Sequence, residues 1–233
     1  MAVLGIVPAR GGSKRIKDKN IRPFCGRPMM AYVLDAARRS GLFDKIHVST
    51  DSGKIAAVAE DLGYKPDFPR DAALADDHTP LLPVLKWVVE RYSDEGQSYD
   101  TVFLLMPCAP FLEAEDLKRG LEVFRRHGGK MPLMGMAPYG APVEWAFDMA
   151  ADGRITALEP KALSVRSQDL TPKYYDAGLF DIYSSNHLLA GKEIGEYDFV
   201  SVAIPRHKAI DIDTPEDWAL AEALYRGLRG SNN

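Results

Sequence analysis

Residues 2–7 are apolar throughout, which predicts a short strand buried on both faces. Residues 45–50 read as a second strand and 101–106 as a third, buried one cut off by Pro107 and Pro110, and 133–136 is a shorter fourth candidate. Between these runs the apolar period becomes helical. Met30, Val33, Leu34 and Ala37 follow Pro28, which is expected to open a helix at its first position. Asp51 and Ser52 are N-cap candidates for a helix over 53–62 that Gly63 stops. Thr79-Pro80 precedes Leu81, Leu85, Val88 and Tyr92, one stripe of a further helix. Residues 113–127 read as helix up to Gly128-Gly129.

Strands alternating with helices imply right-handed βαβ units, so the expected fold is α/β, a three-layer, Rossmann-like, mostly parallel sheet. Ligands in such folds sit beyond the carboxyl ends of the strands. That places the loop after Val7, the Thr50-Asp51 corner and the loop 107–110 on one rim. From Pro138 the rhythm breaks. Residues 145–149 and 155–158 read as a hairpin turning at Asp152-Gly153, and 166–175 is polar and irregular. The whole chain is expected to form one domain, 1–233, with 138–175 a small inserted excursion near the sugar site and a dimer contact. Residues 178–183 and 199–204 return as strands. Thr214-Pro215-Glu216-Asp217 caps a last helix over 218–226, and the tail after Arg229 is expected to be disordered.

Composition changes this picture little. Hydrophobic residues at 46% and charged residues at 27% are ordinary for a folded domain and argue against disorder. The net charge of −4 argues against a whole-surface grip on nucleic acid or anionic membrane. The stretch 131–143 is free of charge but holds Pro132, Pro138 and Pro142, so no membrane span is expected. No signal peptide is expected, because the basic residues follow the first apolar run instead of preceding it. Cys25 and Cys108 make neither a disulfide framework nor a metal pattern, which predicts a reduced, cytoplasmic protein. His47, His78, His127, His187 and His207 share no metal-ligand spacing and read as structural or solvated.

The charge is uneven, and this does matter. Between Pro8 and Arg27 stand seven basic residues (Arg10, Lys14, Arg15, Lys17, Lys19, Arg22, Arg27) and one acid, Asp18; this local +6 leaves −10 elsewhere. A basic loop holding Gly11 and Gly12 directly after a buried strand suits a polyphosphate, with the glycines expected to give close backbone approach and positive φ. Neither GxxxxGK[ST] nor GxGxxG is present, so it is not one of those phosphate loops. Near the other end, Asp211 and Asp213 flank one residue in an extended segment, so both carboxylates face one side. Two hard oxygen ligands together suit Mg²⁺; the competing reading is that Asp213 or Thr214 simply starts the last helix.

These segments resemble the cytidylyltransferases that activate nonulosonic acids, the sialic-acid-like sugars. The likeness is carried by Ala9-Arg10-Gly11-Gly12-Ser13-Lys14-Arg15-Ile16 with Lys19-Asn20, then Gly26-Arg27-Pro28, Ser49-Thr50-Asp51 and Leu74-Ala75-Asp76-Asp77. It continues through Arg166-Ser167-Gln168-Asp169-Leu170, Tyr175-Asp176-Ala177-Gly178 and Asp211-Ile212-Asp213-Thr214, nearly the whole chain in order. The resemblance implies a fold of the nucleotide-diphospho-sugar transferase type, and transfer of CMP from CTP to the C2 hydroxyl of a nine-carbon 2-keto-3-deoxy sugar acid. It implies catalytic roles for Arg10, Lys19, Asp211 and Asp213, the last two carrying Mg²⁺. CTP would be bound by Ala9, Arg10, Gly11, Gly12, Ser13, Lys14, Lys19 and Asn20, with Arg70 reaching the nucleotide and Asp77 and Thr79 near the cytosine. Taken alone, Arg70 would be a surface arginine, and Asp77 and Thr79 helix-start residues.

The sugar would meet Met106, Arg166, Gln168, Tyr175, Asp176 and Phe180, with Arg166 suited to a bidentate grip on a carboxylate. Met106 stands where sialic-acid enzymes carry glutamine, and Asp176 where they carry asparagine. An ionised carboxylate accepts but does not donate hydrogen bonds. Within the family the Asp-Ala-Gly form is most similar to the pseudaminic acid enzymes, and N-acetylneuraminate or legionaminate is the alternative sugar. The excursion at 138–175 suggests a homodimer. Two readings of other classes remain at this point: a glycosyltransferase of similar fold using Asp211 and Asp213 as its DxD, and a catalytically silent nucleotide-binding module.

Overall fold

The computed structural model describes residues 2–191 and 195–230. The main sheet begins with β1 (Val3–Pro8), and a two-stranded ribbon, β2 (Pro23–Phe24) with β3 (Arg27–Pro28), follows it. Then come α1 (Met30–Ser40), β4 (Lys45–Ser49), α2 (Gly53–Asp61), α3 (Leu81–Asp94), β5 (Thr101–Leu105), α4 (Ala114–Arg126) and β6 (Leu133–Pro138). A separate hairpin, β7 (Phe147–Met149) and β8 (Ile155–Ala157), precedes β9 (Tyr174–Ser184). α5 (Ser185–Leu189), β10 (Val200–Ala203) and α6 (Pro215–Gly230) complete the described chain.

The main sheet has the order β10-β6-β9-β5-β1-β4. β1 runs parallel to β4 and β5, and β10 parallel to β6; β9 is antiparallel to both its neighbours. The α/β, mostly parallel expectation is therefore met. Every residue of β1 is buried, as an apolar strand requires when helices cover both faces. On one face Phe103 and Leu105 pack with Val33 of α1 and Leu117, Leu121 and Phe124 of α4. On the other, Leu4, Ile6 and Leu104 pack with Leu85, Val88 and Tyr92 of α3 and Leu188 just after the turn into α5. Ile212 and Trp218 join Phe24 and Met29 in a third cluster, which ties the chain around α6 to the small ribbon.

Three expectations change. Pro28 does not open α1: it pairs with Pro23 in the ribbon, and α1 starts two residues later. The ribbon turns at Cys25-Gly26, both at positive φ (44° and 89°), a tight turn whose first residue gave no sequence cue. Strand β9 begins at Tyr174, because Pro138 and Ala137 pair with Tyr174 and Tyr175. The excursion is thus pinned at its base by a strand pair, and Tyr175 leaves the irregular segment. Gly11 and Gly12 do not take positive φ; that conformation falls to Asp18 in the same loop (φ 56°).

The hairpin turning near Gly153 is present as expected. It exposes Met149 (76%), Ile155 (60%) and Leu158 (57%). The expected disordered tail lies mostly outside the described residues, and α6 extends to Gly230. No described helix is long and apolar enough to cross a membrane.

Candidate active site

The loop after β1 closes over the carboxyl ends of β1, β4 and β5. Its first residue, Ala9, is held by a 2.9 Å hydrogen bond from its N–H to the Ser49 carbonyl. The Gly11 N–H donates to Asp51 Oδ1 (2.9 Å), and a Cβ at Gly11 would lie 3.0 Å from that of Ser52. Gly11 therefore serves the close approach of two loops. Asn20 is buried and donates from Nδ2 to the Arg10 carbonyl (3.2 Å), fixing the loop's two ends together.

Beneath this loop lies a cavity of about 270 Å³ whose lining includes Arg10, Lys14, Arg15, Lys19, Asp211 and Asp213. Ser13, Asn20, Arg70, Asp77, Thr79 and Met106 also border it. Arg70 is buried because its guanidinium is spent on Ser49: Nε donates to Oγ (3.0 Å) and Nη2 to the carbonyl oxygen (2.8 Å). Burial draws its pKa down to about 10, which still leaves it cationic at neutral pH.

The cations of the loop are matched by two carboxylates. Asp77 pairs with Arg10 at 2.5 Å and also closes on Lys14. Hydrogen bonds from Lys14 and then Arg10 hold its pKa down at about 2. Asp213 receives Arg15 on one oxygen (2.7 Å) and Lys19 on the other (3.0 Å). Lys19 is further steered by the Ile212 carbonyl at 2.8 Å. Asp77 and Asp213 thus lie among the basic groups that a polyphosphate would contact.

Asp211 and Asp213 line the same cavity while Ile212 between them is buried in the third cluster, so the alternation read from the sequence holds. The helix-capping alternative fails for the carboxylate of Asp213. Thr214 and Asp217 perform that task, with Thr214 N–H to Asp217 at 2.7 Å and Asp217 N–H to Thr214 Oγ1 at 3.2 Å. Burial, and then Asp213, raises the pKa of Asp211. A buried carboxylate whose proton affinity is raised by a like charge beside it is what a hard cation relieves. Among the described residues no group of three or more metal-binding side chains exists. The pair fits a cation that takes its remaining oxygens from substrate and water, as Mg²⁺ does.

A second cavity, about 710 Å³, adjoins the first and shares Leu81, Met106 and Gly178 with it. Its walls are mainly apolar, from Leu82, Leu104, Met134 and Leu188, with Asp176 and Asp181 its acids. Asp181 is buried, and that burial, reinforced by Asp176, pushes its pKa up to about 7.

Comparison with known proteins bears directly on this arrangement. The family model described as Cytidylyltransferase matches residues 4–125, from β1 to the end of α4. The chain belongs to the cytidylyltransferase family. It is 36% identical to the pseudaminic acid cytidylyltransferase of Campylobacter jejuni subsp. jejuni, over 97% of both chains. It is 29% identical to the CMP-N,N'-diacetyllegionaminic acid synthase of Legionella pneumophila subsp. pneumophila, over 96% of both. The solved CMP:2-keto-3-deoxy-manno-octonic acid synthetase, complexed with CTP, shares its fold (TM-score 0.75, 15% identity, 98% of this chain and 100% of that one).

Not every expected residue of this cytidylyltransferase reaches a cavity. Arg10, Ser13, Lys14, Lys19, Asn20, Arg70, Asp77, Thr79, Met106, Asp211 and Asp213 do converge on the first cavity. Asp77 faces the loop cations. Thr79 is held by Asp76, which accepts from its N–H (2.6 Å) and hydroxyl (2.8 Å). Arg166 and Gln168 are exposed and border neither cavity; Arg166 instead forms a two-point pair with Asp169 (2.8 and 3.2 Å). Tyr175 packs against Tyr139 with ring centroids 5.0 Å apart and the planes tilted by 57°, and is likewise outside both. Phe180 borders the second cavity, but its ring is core, stacked on Phe103 at 6.2 Å.

Sequence reasoning assigned no site role to Asp51, Asp76 or Asp181, although Asp51 and Asp76 stand in the segments that carry the likeness. Asp51 and Asp76 act by turning loops and look ordinary in sequence. Asp181 carried a usable signal: it is a lone charge within Leu179-Phe180-Asp181-Ile182-Tyr183, an otherwise apolar strand core.

Proposed function

We propose that this cytidylyltransferase transfers CMP from CTP to the C2 hydroxyl of a nine-carbon 2-keto-3-deoxy sugar acid, with pseudaminic acid the preferred sugar. The observation that carries the reading is the joined pair of cavities, one lined by cations and the other apolar, meeting at Met106. A triphosphate needs the first, and a sugar acid with few hydroxyls suits the second. The match to the Campylobacter jejuni enzyme along nearly its full length supports the choice of sugar.

The chain's own residues would act mainly by position and charge. Arg10 and Lys14 would exchange Asp77 for phosphate oxygens and hold the β- and γ-phosphates. Lys19, fixed by the Ile212 carbonyl, would face the α-phosphate. The sugar hydroxyl would attack the α-phosphorus in line, form the new P–O bond and pass its proton to solvent water. The bond to the β-phosphate oxygen breaks, and pyrophosphate leaves with its negative charge on Arg10 and Lys14. Asp211 and Asp213 would hold Mg²⁺, which would supply Lewis-acid stabilisation of the phosphate oxygens and lower the pKa of the attacking hydroxyl. Arg15 would then release Asp213 for that duty.

The two cysteines are free thiols, which supports a cytoplasmic location. The exposed apolar side chains of the 147–158 hairpin support a homodimer. Incubation with CTP, Mg²⁺ and pseudaminic acid, with products read by mass spectrometry, tests the activity. A CMP-sugar and one equivalent of pyrophosphate are expected; CTP left intact with every nonulosonic acid would refute it.

A further inference from the structure

Asp181 is an unusual residue in its place. In the sheet it lies between Leu104 of β5 and Met134 of β6, and both neighbours line the second cavity. Its side-chain partner among the described residues is the Tyr183 hydroxyl, which donates to Oδ2 at 3.1 Å. No hydrogen bond reaches Oδ1 and no cation pairs with Asp181 among the described residues. The cation of the cavity wall, Lys86, lies 3.9 Å from Glu90. A buried acid lacking a cation costs stability. No packing need in this mainly apolar wall explains it.

The register beside it is also irregular. Met134 pairs with Asp181 but Met136 pairs with Asp176, so residues 177–180 bulge beside Gly135, with Gly178 at φ 63°. Bulges re-aim side chains next to binding sites. Here the bulge brings both acids, five positions apart, to the same cavity.

The acids also orient a sugar acid. C2 carries both the substrate carboxylate and the attacking hydroxyl. Asp176 and Asp181 offer a carboxylate no cation, while Arg10, Lys14 and Lys19 line the adjoining cavity. The C2 end therefore points to the first cavity, and the rest of the sugar enters the second. There it meets Asp181 surrounded by Leu81, Leu82, Met106 and Leu188. The complement of one acceptor set among apolar walls is a single N–H joined to an apolar end. An acylamino group has that form; a hydroxyl fills the acceptor but leaves the walls bare.

We propose that Asp181 is a specificity-determining residue that accepts the N–H of an acylamino substituent of the sugar acid, whose acyl end packs on the leucine and methionine wall. This inference rests on the function proposed above and names the feature of the sugar that the second cavity reads.

The test compares pseudaminic acid with a nonulosonic acid bearing hydroxyls in place of its acylamino groups, in the wild type, Asp181→Leu and Asp181→Asn. In Asp181→Leu the preference in kcat/KM for the acylamino sugar should fall by about tenfold or more, through a raised KM for that sugar. The KM for CTP should stay within about twofold. Asp181→Asn keeps a carbonyl acceptor and should lose less of the preference. A preference unchanged in both variants would overturn the proposal. So would an equal loss on both sugars, which marks a purely structural role. If Asp181→Leu fails to fold, Asp181→Ala, which also removes the acceptor, takes its place: a KM for the acylamino sugar equal to that of the wild type then overturns the proposal. A wild-type protein that releases no pyrophosphate with any nonulosonic acid would instead refute the underlying function.

Discussion

At the scale of residues, the site is a balance of neighbouring charges, and each prediction follows from removing one. Asp213→Ala frees Arg15 and Lys19 but removes half of the carboxylate pair. It should lower kcat by on the order of 10²–10³, the range for losing one transition-state contact, with the fold intact by circular dichroism. Wild-type pyrophosphate release by that variant would contradict the metal assignment. Arg10→Ala should lose rate at saturating CTP if, as proposed, its cation serves the leaving group; unchanged turnover would remove that role. Asp181 has a stability consequence as well. Its pKa is about 7 in the folded protein and near 3.8 when unfolded, so folding binds a proton between those values. The stability it contributes is present below pH 3.8 and is lost as the pH rises through 7. Asp181→Asn should therefore raise Tm at pH 8, by a free energy on the order of a few kcal/mol, with the gain vanishing near pH 4. Thermal melts at the two pH values check this. His47 works with the opposite sign. It is buried against Phe68 without a hydrogen bond to either ring nitrogen, and burial lowers its pKa to about 4. Its contribution is complete above pH 6.5 and is lost as the pH falls through 4.

Among the elements, what was legible in the sequence was what local chemistry dictates. Residues 2–7 and 101–106 became β1 and β5 because an unbroken apolar run has few other places to go. Ser52 caps α2 as expected, its Oγ accepting from the Ile55 N–H at 3.5 Å. The period-two reading of Asp211 and Asp213 survived because it needed only an extended backbone. The ribbon at 23–28 was not legible: its turn places Cys25 at positive φ, which tertiary packing of Phe24 against Trp218 stabilises. The antiparallel placement of β9 and its bulge were hidden too, since register is a property of three strands at once. Arg166 and Gln168 were read from family likeness alone, and the loop that carries them stands away from both cavities. The α4–β9 contact gives a test at this scale. A Cβ at Gly120 would lie 2.6 Å from Phe180 Cε2 and 3.3 Å from Ile182 Cδ1. Gly120→Ala would gain about 1 kcal/mol of helix propensity, yet overpacking costs about 1–3 kcal/mol. Because two β9 side chains are in the way, net destabilisation is expected; a raised Tm would contradict this packing.

For the whole molecule, the six-stranded sheet gathers a basic loop, a carboxylate pair and a mainly apolar cavity at one rim. Net charge of −4 says little about this, because it averages the loop's +6 with acids that partly neutralise it in the free protein. The exposed hairpin at 147–158 makes dimerisation the expected state, and a monomer in sedimentation velocity at micromolar concentration would remove that expectation. The central claim is that the joined cavities unite CTP with an acylamino nonulosonic acid. Its most direct test is pyrophosphate release with CTP and Mg²⁺ across pseudaminic, legionaminic, N-acetylneuraminic and 3-deoxy-octulosonic acids. The account predicts the highest kcat/KM with pseudaminic acid; a clear preference for N-acetylneuraminic acid, or release with none of the four, would contradict it.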